Sequence, residues 1–253
     1  MTLTTLSVDC GGTRLKALLL DENGGQVGER VRIRTPYPLS PDRFVAELVA
    51  LTSDLGPFDR ATVGMPGMIR GGRVVSTPHY PRLAGPFTAL DDALDRCWRG
   101  FDAQRALTEA FGRPTRVLND AEVQGAAVVT GAGLELVLTL GTGLGSAMFS
   151  DGVLAPHLEL SHHPFRHGQT YDEQLGDHAR RAAGPAKWVG RVRRAVDVLR
   201  PVVYFDRLFI GGGNAKYLPA DVAADVTIVS NTAGLLGGVR AWDLGSSKLR
   251  GTP

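Results

Sequence analysis

Asp9 stands just before Gly11-Gly-Thr13, and a second turn of the same kind, Gly141-Thr-Gly143, lies far along the chain. Glycine and threonine in a tight turn leave backbone N–H groups facing one way with no side chain over them. Such a nest takes phosphate oxygens, and the Thr hydroxyl adds a donor. A carboxylate beside bound phosphate is repulsive unless a cation lies between, so Asp9 reads as a ligand of Mg²⁺, directly or through water. An Asp that caps the amides of its own turn is the other reading. Asn119 and Asp120 project from the end of an apolar run. An Asp there suits acceptance of a proton from an attacking hydroxyl, and one base plus a metal is a sufficient set for phosphoryl transfer, where the protein mainly positions groups and neutralises charge. Either residue equally suits a helix N-cap. Glu159 and His162, three apart, have the donor and acceptor character to bind adjacent sugar hydroxyls, although a polar surface loop is the plainer reading. Gly211-Gly-Gly-Asn214 lets backbone approach the ribose or phosphate end of a nucleotide, or makes a flexible turn.

The elements that must position these groups follow from periodicity. Leu3 to Val8, Leu15 to Leu20 and Val27 to Ile33 read as a three-strand meander broken at Cys10–Thr13 and Glu22–Gly25. A strand after the first glycines, and no Gly-Lys-Ser/Thr, disfavours both the P-loop and the dinucleotide fingerprint, which need a helix there. Pro41 to Leu55 has helical spacing with Ser40 as cap. Ala61 to Val63 is a short strand, and residues 70 to 90 read as irregular. Leu90 to Phe111 is helical in two pieces broken near Gly100. Thr115 to Leu118 is a strand and Ala121 to Val129 a helix. Leu134 to Leu140 is a strand, and Ser146 to Phe149 continues extended. Lys187 to Leu199 is a helix ending before Pro201, Tyr204 to Ile210 and Val226 to Val229 are strands, Thr232 to Trp242 is a helix, and the tail from Ser246 is frayed. The segment Leu6 to Ala17 repeats approximately as Leu136 to Ala147, each a strand, a Gly/Thr turn and a strand, which points to duplicated lobes.

The chain has 253 residues, 43% of them hydrophobic, enough for two modest lobes. Its formal charge of +2 comes with no long Lys/Arg run, so no nucleic-acid partner is expected. Two cysteines far apart make no disulfide framework and fit a reducing compartment. There is no signal-peptide pattern and no apolar run near the roughly 20 residues a bilayer span needs, so a soluble, cytoplasmic protein with no membrane partner is expected. Five of the six histidines fall between His157 and His178, near Asp172 and Glu173. Their spacing matches no standard ligand pattern, and no structural zinc is expected.

Together the motifs resemble the ROK family of bacterial sugar kinases and sugar-responsive repressors, within it the polyphosphate/ATP-dependent glucokinase branch. Val8-Asp-Cys-Gly-Gly-Thr-Arg-Leu-Lys16 is similar to the first phosphate motif and Gly64-Met-Pro-Gly67 to the sugar-pocket loop. Val117-Leu-Asn-Asp-Ala121 matches the segment with the catalytic aspartate, and Leu140-Gly-Thr-Gly-Leu-Gly145 the second phosphate motif. Phe209-Ile-Gly-Gly-Gly213 and Asn231-Thr-Ala-Gly-Leu-Leu-Gly237 resemble the nucleotide-side motifs. The resemblance implies an α/β, actin-like ATPase (ribonuclease H-like) fold in two lobes, each a mixed sheet flanked by helices. The lobes are expected at 1–113 with 239–253, and at 114–238, the active-site cleft between them. It implies a hexose kinase, with glucose 6-OH as acceptor and ATP or polyphosphate as donor, and a homodimer. Asp120 is then the general base, and Asn119, Glu159, His162 and Gly67 bind sugar. Gly11, Gly12, Thr13, Lys16, Gly141, Thr142 and Gly143 hold phosphates, Gly212 and Gly213 lie on the nucleotide side, and Asp9 lies at Mg²⁺. A non-catalytic sugar sensor of the same fold is the alternative. Three departures stand out: no Cys-rich zinc loop, Ser161 where the family has Gly, and no clear second sugar-binding glutamate, for which Glu173 is the candidate.

Overall fold

The structure, a computed structural model, describes residues 3–86, 88–223, 225–229 and 233–244. It divides into two compact units, Met1–Val123 with Leu235–Trp242, and Gln124–Gly234.

In the first unit β1 (Thr5–Cys10) and β2 (Arg14–Leu20) form an antiparallel hairpin, and β3 (Gln26–Arg34) adds to β2. Helix α1 (Pro41–Thr52) starts where the sequence places it: Ser40 Oγ accepts the Arg43 N–H and Pro41 supplies a pre-set φ at the first helical position. Its buried face, Phe44 and Leu48, lies on a core with Leu6, Val8, Leu15 and Ala17. β4 (Arg60–Met65) pairs parallel to β1. The stretch expected to be irregular contains a hairpin, β5 (Met68–Arg70) and β6 (Arg73–Ser76), turned by Gly71 and Gly72, both at positive φ (56° and 75°). Two residues at positive φ are what a two-residue hairpin turn requires. Helices α2 (Asp92–Trp98) and α3 (Ala103–Phe111) flank Gly100 as expected. β7 (Thr115–Asn119) pairs parallel to β4, giving the order β3-β2-β1-β4-β7. This pairing corrects the boundary expected at 113/114, because β7 and the start of α4 (Asp120–Val128) belong to the first unit.

The second unit repeats the plan. β8 (Leu134–Leu140) and β9 (Leu144–Ser150) form a hairpin, extended by the short β10 (Val153–Leu154). A 3₁₀ turn at Leu160–His162 leads to the small hairpin β11 (Pro164–Arg166) and β12 (Gln169–Thr170), then α5 (Tyr171–Leu175), α6 (Asp177–Ala183) and α7 (Pro185–Val203). β13 (Arg207–Gly211) and β14 (Val226–Ile228) complete the sheet β10-β9-β8-β13-β14. Both sheets are thus a hairpin with two further parallel strands, and the sequence repeat falls on equivalent hairpins. Helix α7 overruns its expected end. Pro201 lies in the last turn, where a missing N–H costs one bond, and Tyr204 closes the helix at φ 54° by donating its N–H to Arg200 O. Tyr204 is therefore a cap rather than the start of a strand.

Helix α8 (Ala233–Arg240) returns the chain to the first unit. Val239 covers Leu18 and Leu20. Thr62 Oγ1 donates to Gly238 O at 2.6 Å and receives the Trp242 indole N–H at 2.9 Å. A Cβ on Gly238 would lie 2.4 Å from Ser7 Oγ, so only glycine permits this approach. Asn231, Thr232 and the tail from 245 lie outside the described residues. No described helix is long and apolar enough to cross a membrane.

Candidate functional site

Three parallel strands of the first unit end side by side. Asp9 pairs with Gly64, Gly64 with Leu118, and Met65 with Asn119. The C-terminal ends of such strands are the usual address of ligand groups in α/β sheets. Next to Asp9, the Gly11–Arg14 turn is closed by the Gly11 N–H on Arg14 O at 2.9 Å. The Gly11 amide is therefore spent on the turn. The carbonyls are tied down on one side: Gly11 O accepts from Thr35 Oγ1 (2.7 Å), Gly12 O from the Tyr37 hydroxyl (2.7 Å) and Thr13 O from Thr35 N (3.1 Å). In a trans peptide the N–H points opposite to its C=O. Fixing the first two carbonyls thus aims the Gly12 and Thr13 amides to the other side, as an anion nest needs. Burial pushes the Tyr37 phenol up to about 12, so it remains a donor at any physiological pH.

Asp9 and Lys16 face each other across the hairpin, with Lys16 Nζ 2.6 Å from Asp9 Oδ2. Asn119 is the N-cap of α4. Its Oδ1 accepts the Ala121 N–H, and its own N–H is taken by Glu122 Oε2 at 2.9 Å, a reciprocal cap that the sequence reading passed over. Asn119 Nδ2 donates to Gly67 O at 2.8 Å, joining the sugar-loop candidate to this cap. Gly67 sits at φ 100°, and a Cβ there would lie 2.4 Å from Ser76 O. Asp120 follows, half-buried, at the first helical position. Burial raises the Cys10 thiol well above its usual value, and Asp9 and Asp120 both push it further in the same direction. The two carboxylates therefore share one neighbourhood.

Over Gly12 lie the His79 ring and Pro86; a Cβ on Gly12 would be 2.6 Å from His79 Cδ2. His79 is the one histidine outside the cluster the sequence drew notice to. Burial, with Arg82 adding to it, lowers His79 from 6.5 to about 4. A folded pKa below the unfolded one means that protonation favours the unfolded chain. Its stabilising contribution is whole above about pH 6.5 and is lost as pH falls toward 4, a change of up to about 3 kcal/mol. Melting temperatures from pH 7 to 4 should fall less steeply for His79→Gln than for the wild type; parallel curves would refute the assignment.

In the second unit the Gly141–Gly143 turn is built the same way. Gly141 N–H bonds Gly143 O at 2.9 Å. Gly141 O accepts from Asp177 N (3.0 Å) and Asn214 Nδ2 (2.8 Å), and Thr142 O from Asp177 N (3.2 Å). Again the tethered carbonyls aim the Thr142 and Gly143 amides the opposite way. Gly212, at φ 86°, crosses Leu140 so closely that a Cβ would lie 2.5 Å from Leu140 O. This crossing brings Gly213 and Asn214 to the turn. A cavity of about 340 Å³ opens there, lined by Gly141, Thr142, Gly213 and Asn214, and by Arg180, Arg181, Lys216, Asp177 and Tyr217. Arg180 and Arg181 both pair with Asp177 (2.7 and 2.6 Å), and the Arg180 guanidinium lies 4.0 Å from the centre of the Tyr217 ring. The sequence reading missed these cations: Arg180 and Arg181 come from α6, remote in the chain from Gly213, and Lys216 from a 3₁₀ turn just after it.

Glu159 accepts from Ser161 Oγ at 2.6 Å and lies 3.5 Å from His157 Nε2. Its carboxyl ends below the usual range: burial raises it, but His157 beside it, the Ser161 hydrogen bond and the field of His162 outweigh burial. His162 is exposed at the end of the 3₁₀ turn. Asp172 is raised, chiefly by burial, with Glu159 and Glu173 adding to it against the Leu144 N–H and His162. Its Oδ1 sits over the second turn, accepting Leu144 N at 2.8 Å, where a Gly143 Cβ would collide with it. Glu173 is engaged elsewhere: it forms the capping box of α5 with Thr170. Asp172, not Glu173, is the acid within electrostatic reach of Glu159 and His162. Among the described residues, no three or more His, Cys, Asp or Glu gather to hold a metal ion.

Comparison with known proteins bears on this arrangement. Residues 5–156 match the model of the ROK family. Polyphosphate glucokinase of Mycobacterium tuberculosis is 26% identical over 251 residues, covering 92% of this chain and 89% of that protein. An N-acetylmannosamine kinase of Escherichia fergusonii is 31% identical over 160 residues, 60% of this chain and 49% of its own. The crystal structure of inorganic polyphosphate/ATP-glucomannokinase from Arthrobacter sp. strain KM superposes with a TM-score of 0.77 at 26% identity, covering 96% of this chain and 98% of that one. The two sheets and their helices are the actin-like ATPase fold of that relative.

Proposed function

Because the chain belongs to the ROK family, we propose that it is a sugar kinase. It transfers a phosphoryl group from polyphosphate or ATP to a hexose hydroxyl, glucose 6-OH foremost, with Asp120 as general base. The observation that carries this reading is the meeting of Asp120, Asp9 and the amide-lined Gly12–Thr13 turn at three adjacent strand ends. The names of its relatives, a polyphosphate glucokinase and a polyphosphate/ATP-glucomannokinase, support the same reaction class.

Each side chain then has a task. Asp120 takes the proton of the attacking hydroxyl as the oxygen–phosphorus bond forms. Asn119 spends one amide hydrogen on Gly67 and keeps the second for a sugar oxygen. Glu159, held ionised by His157 and Ser161, and His162 accept and donate to neighbouring hydroxyls. The amides of Gly12, Thr13, Thr142 and Gly143 bind phosphate oxygens, and Arg180, Arg181 and Lys216 neutralise the donor's charge in the cavity where Gly213 lies.

Asp9 fits as the protein's ligand for Mg²⁺. It is 43% exposed at a strand end, and Mg²⁺ characteristically takes one or two carboxylates together with substrate phosphates and water, so a larger acidic cluster is not required. The cation, when bound with the donor, screens the charge that develops on the transferring group. Lys16, paired with Asp9 in the free protein, is placed to turn to a phosphate. A matrix of hexoses (glucose, mannose, fructose, N-acetylmannosamine) against ATP and polyphosphate tests the reading. Sugar-dependent donor consumption, strongest with glucose, is expected; consumption without sugar, or sugar binding with no transfer from either donor, would sink it.

A further inference from the structure

One face of the β2–β3 hairpin carries a positive field of which the chemistry above uses only Lys16. The register sets Arg14 opposite Arg34 and Lys16 opposite Arg32. Side chains alternate along a strand, so Arg32 and Arg34 share one face of β3, while Val31 and Ile33 on the other pack on the core; Arg30 adjoins them, exposed, at the bulge opposite Leu18. Like charges directly across a strand pair are destabilising. Asp9 offsets Lys16. Among the described residues, Arg14, Arg30, Arg32 and Arg34 have no ion pair and no side-chain hydrogen bond, and all four are exposed. Protection of an edge strand explains charges on β3, but Arg14 lies on β2, which is flanked on both sides.

The position and shape of this patch indicate its occupant. It begins at the phosphate turn, since Arg14 follows Thr13 and Thr35, just beyond Arg34, bonds to Gly11 and Thr13. From Arg30 to Arg34 it runs about 13 Å along the strand, too long for one phosphate group and suited to a chain of them. Neither β2 nor β3 contains an aromatic residue, so there is no platform on which nucleobases would stack. We propose that this face is a binding track for an extended inorganic polyanion, the distal length of a polyphosphate chain whose end lies at Gly12 and Thr13. The proposal rests on the kinase reading above and names the donor that the reading leaves as one of two.

The test compares long-chain polyphosphate, tripolyphosphate and ATP as donors for the wild type and the triple variant Arg30→Gln, Arg32→Gln, Arg34→Gln. Loss of three phosphate contacts should raise KM for the long chain on the order of tenfold and flatten its salt dependence. KM for tripolyphosphate and for ATP, which do not extend over β3, should be unchanged, and ATP-supported turnover shows that the variant is folded. An unchanged long-chain KM overturns the proposal, as does an equal rise for all three donors. A wild type that uses ATP alone also overturns it and leaves the kinase reading intact. Anisotropy of fluorescent long-chain polyphosphate separates the two ideas. If no donor supports transfer, the kinase reading fails, and the track stands only if the triple variant loses that binding. Competition by single-stranded poly(U) as effective as that by polyphosphate would overturn the assignment to an inorganic chain.

Discussion

Asp120→Asn should lower kcat by about 10²- to 10⁴-fold, the usual consequence of removing a general base, with sugar affinity nearly unchanged. The substitution keeps size and polarity. The cap of α4 is made by Asn119 and Glu122, not by the Asp120 carboxylate alone, so the helix start survives. The measurement is a donor-consumption assay beside calorimetric sugar titration and a melting curve. Wild-type turnover in this variant would remove Asp120 from the chemistry. Loss of activity together with loss of sugar binding and a collapsed melting temperature would assign it a structural part instead.

Trp98→Ala should destabilise the protein by about 3–5 kcal/mol, the range for large-to-small changes at a filled core position. Trp98 is fully buried, with ring centroids 5.5 Å from Phe44, 5.1 Å from Tyr80 and 5.7 Å from Phe101, and its indole N–H bonds Leu39 O at 2.8 Å. The variant would open a cavity and strand that carbonyl. It would also loosen Tyr80, the neighbour of His79, which lies over Gly12. Urea unfolding reads the cost from the midpoint and slope. A loss below about 1 kcal/mol would mean that the three remaining rings re-pack around the gap.

What the sequence revealed tracks how local the physics is. The β1–β2 and β8–β9 hairpins were legible because strand periodicity, glycine turn and second strand lie within a dozen or so consecutive residues, and because they repeat. Helix α1 was legible from Ser40, Pro41 and the spacing of Phe44 and Leu48. The β5–β6 hairpin was missed although its Gly71-Gly72 signal was present, since the prolines around it suggested disorder of the pattern. The end of α7 was misplaced because a proline reads as a stop, whereas in a last turn it forfeits a single bond. At the site, Asp9, Asn119, Asp120 and the glycines were visible as types in a motif. What they contact was not: the covering of Gly12 by His79, the seat of Asp172 over Gly143, and the use of Glu173 as a cap all depend on pairs that only folding brings together.

The return of residues 235–242 to the first unit sets an order of events for the growing chain. The five strands built from the first 119 residues leave the ribosome long before the helix that covers Leu18, Leu20 and Ser7 has been made. Until then one flank of that sheet is bare, and bare apolar sheet is what aggregation and chaperones act on. Nascent chains arrested short of Leu235 should therefore be captured by a holdase, and release should coincide with emergence of Trp242.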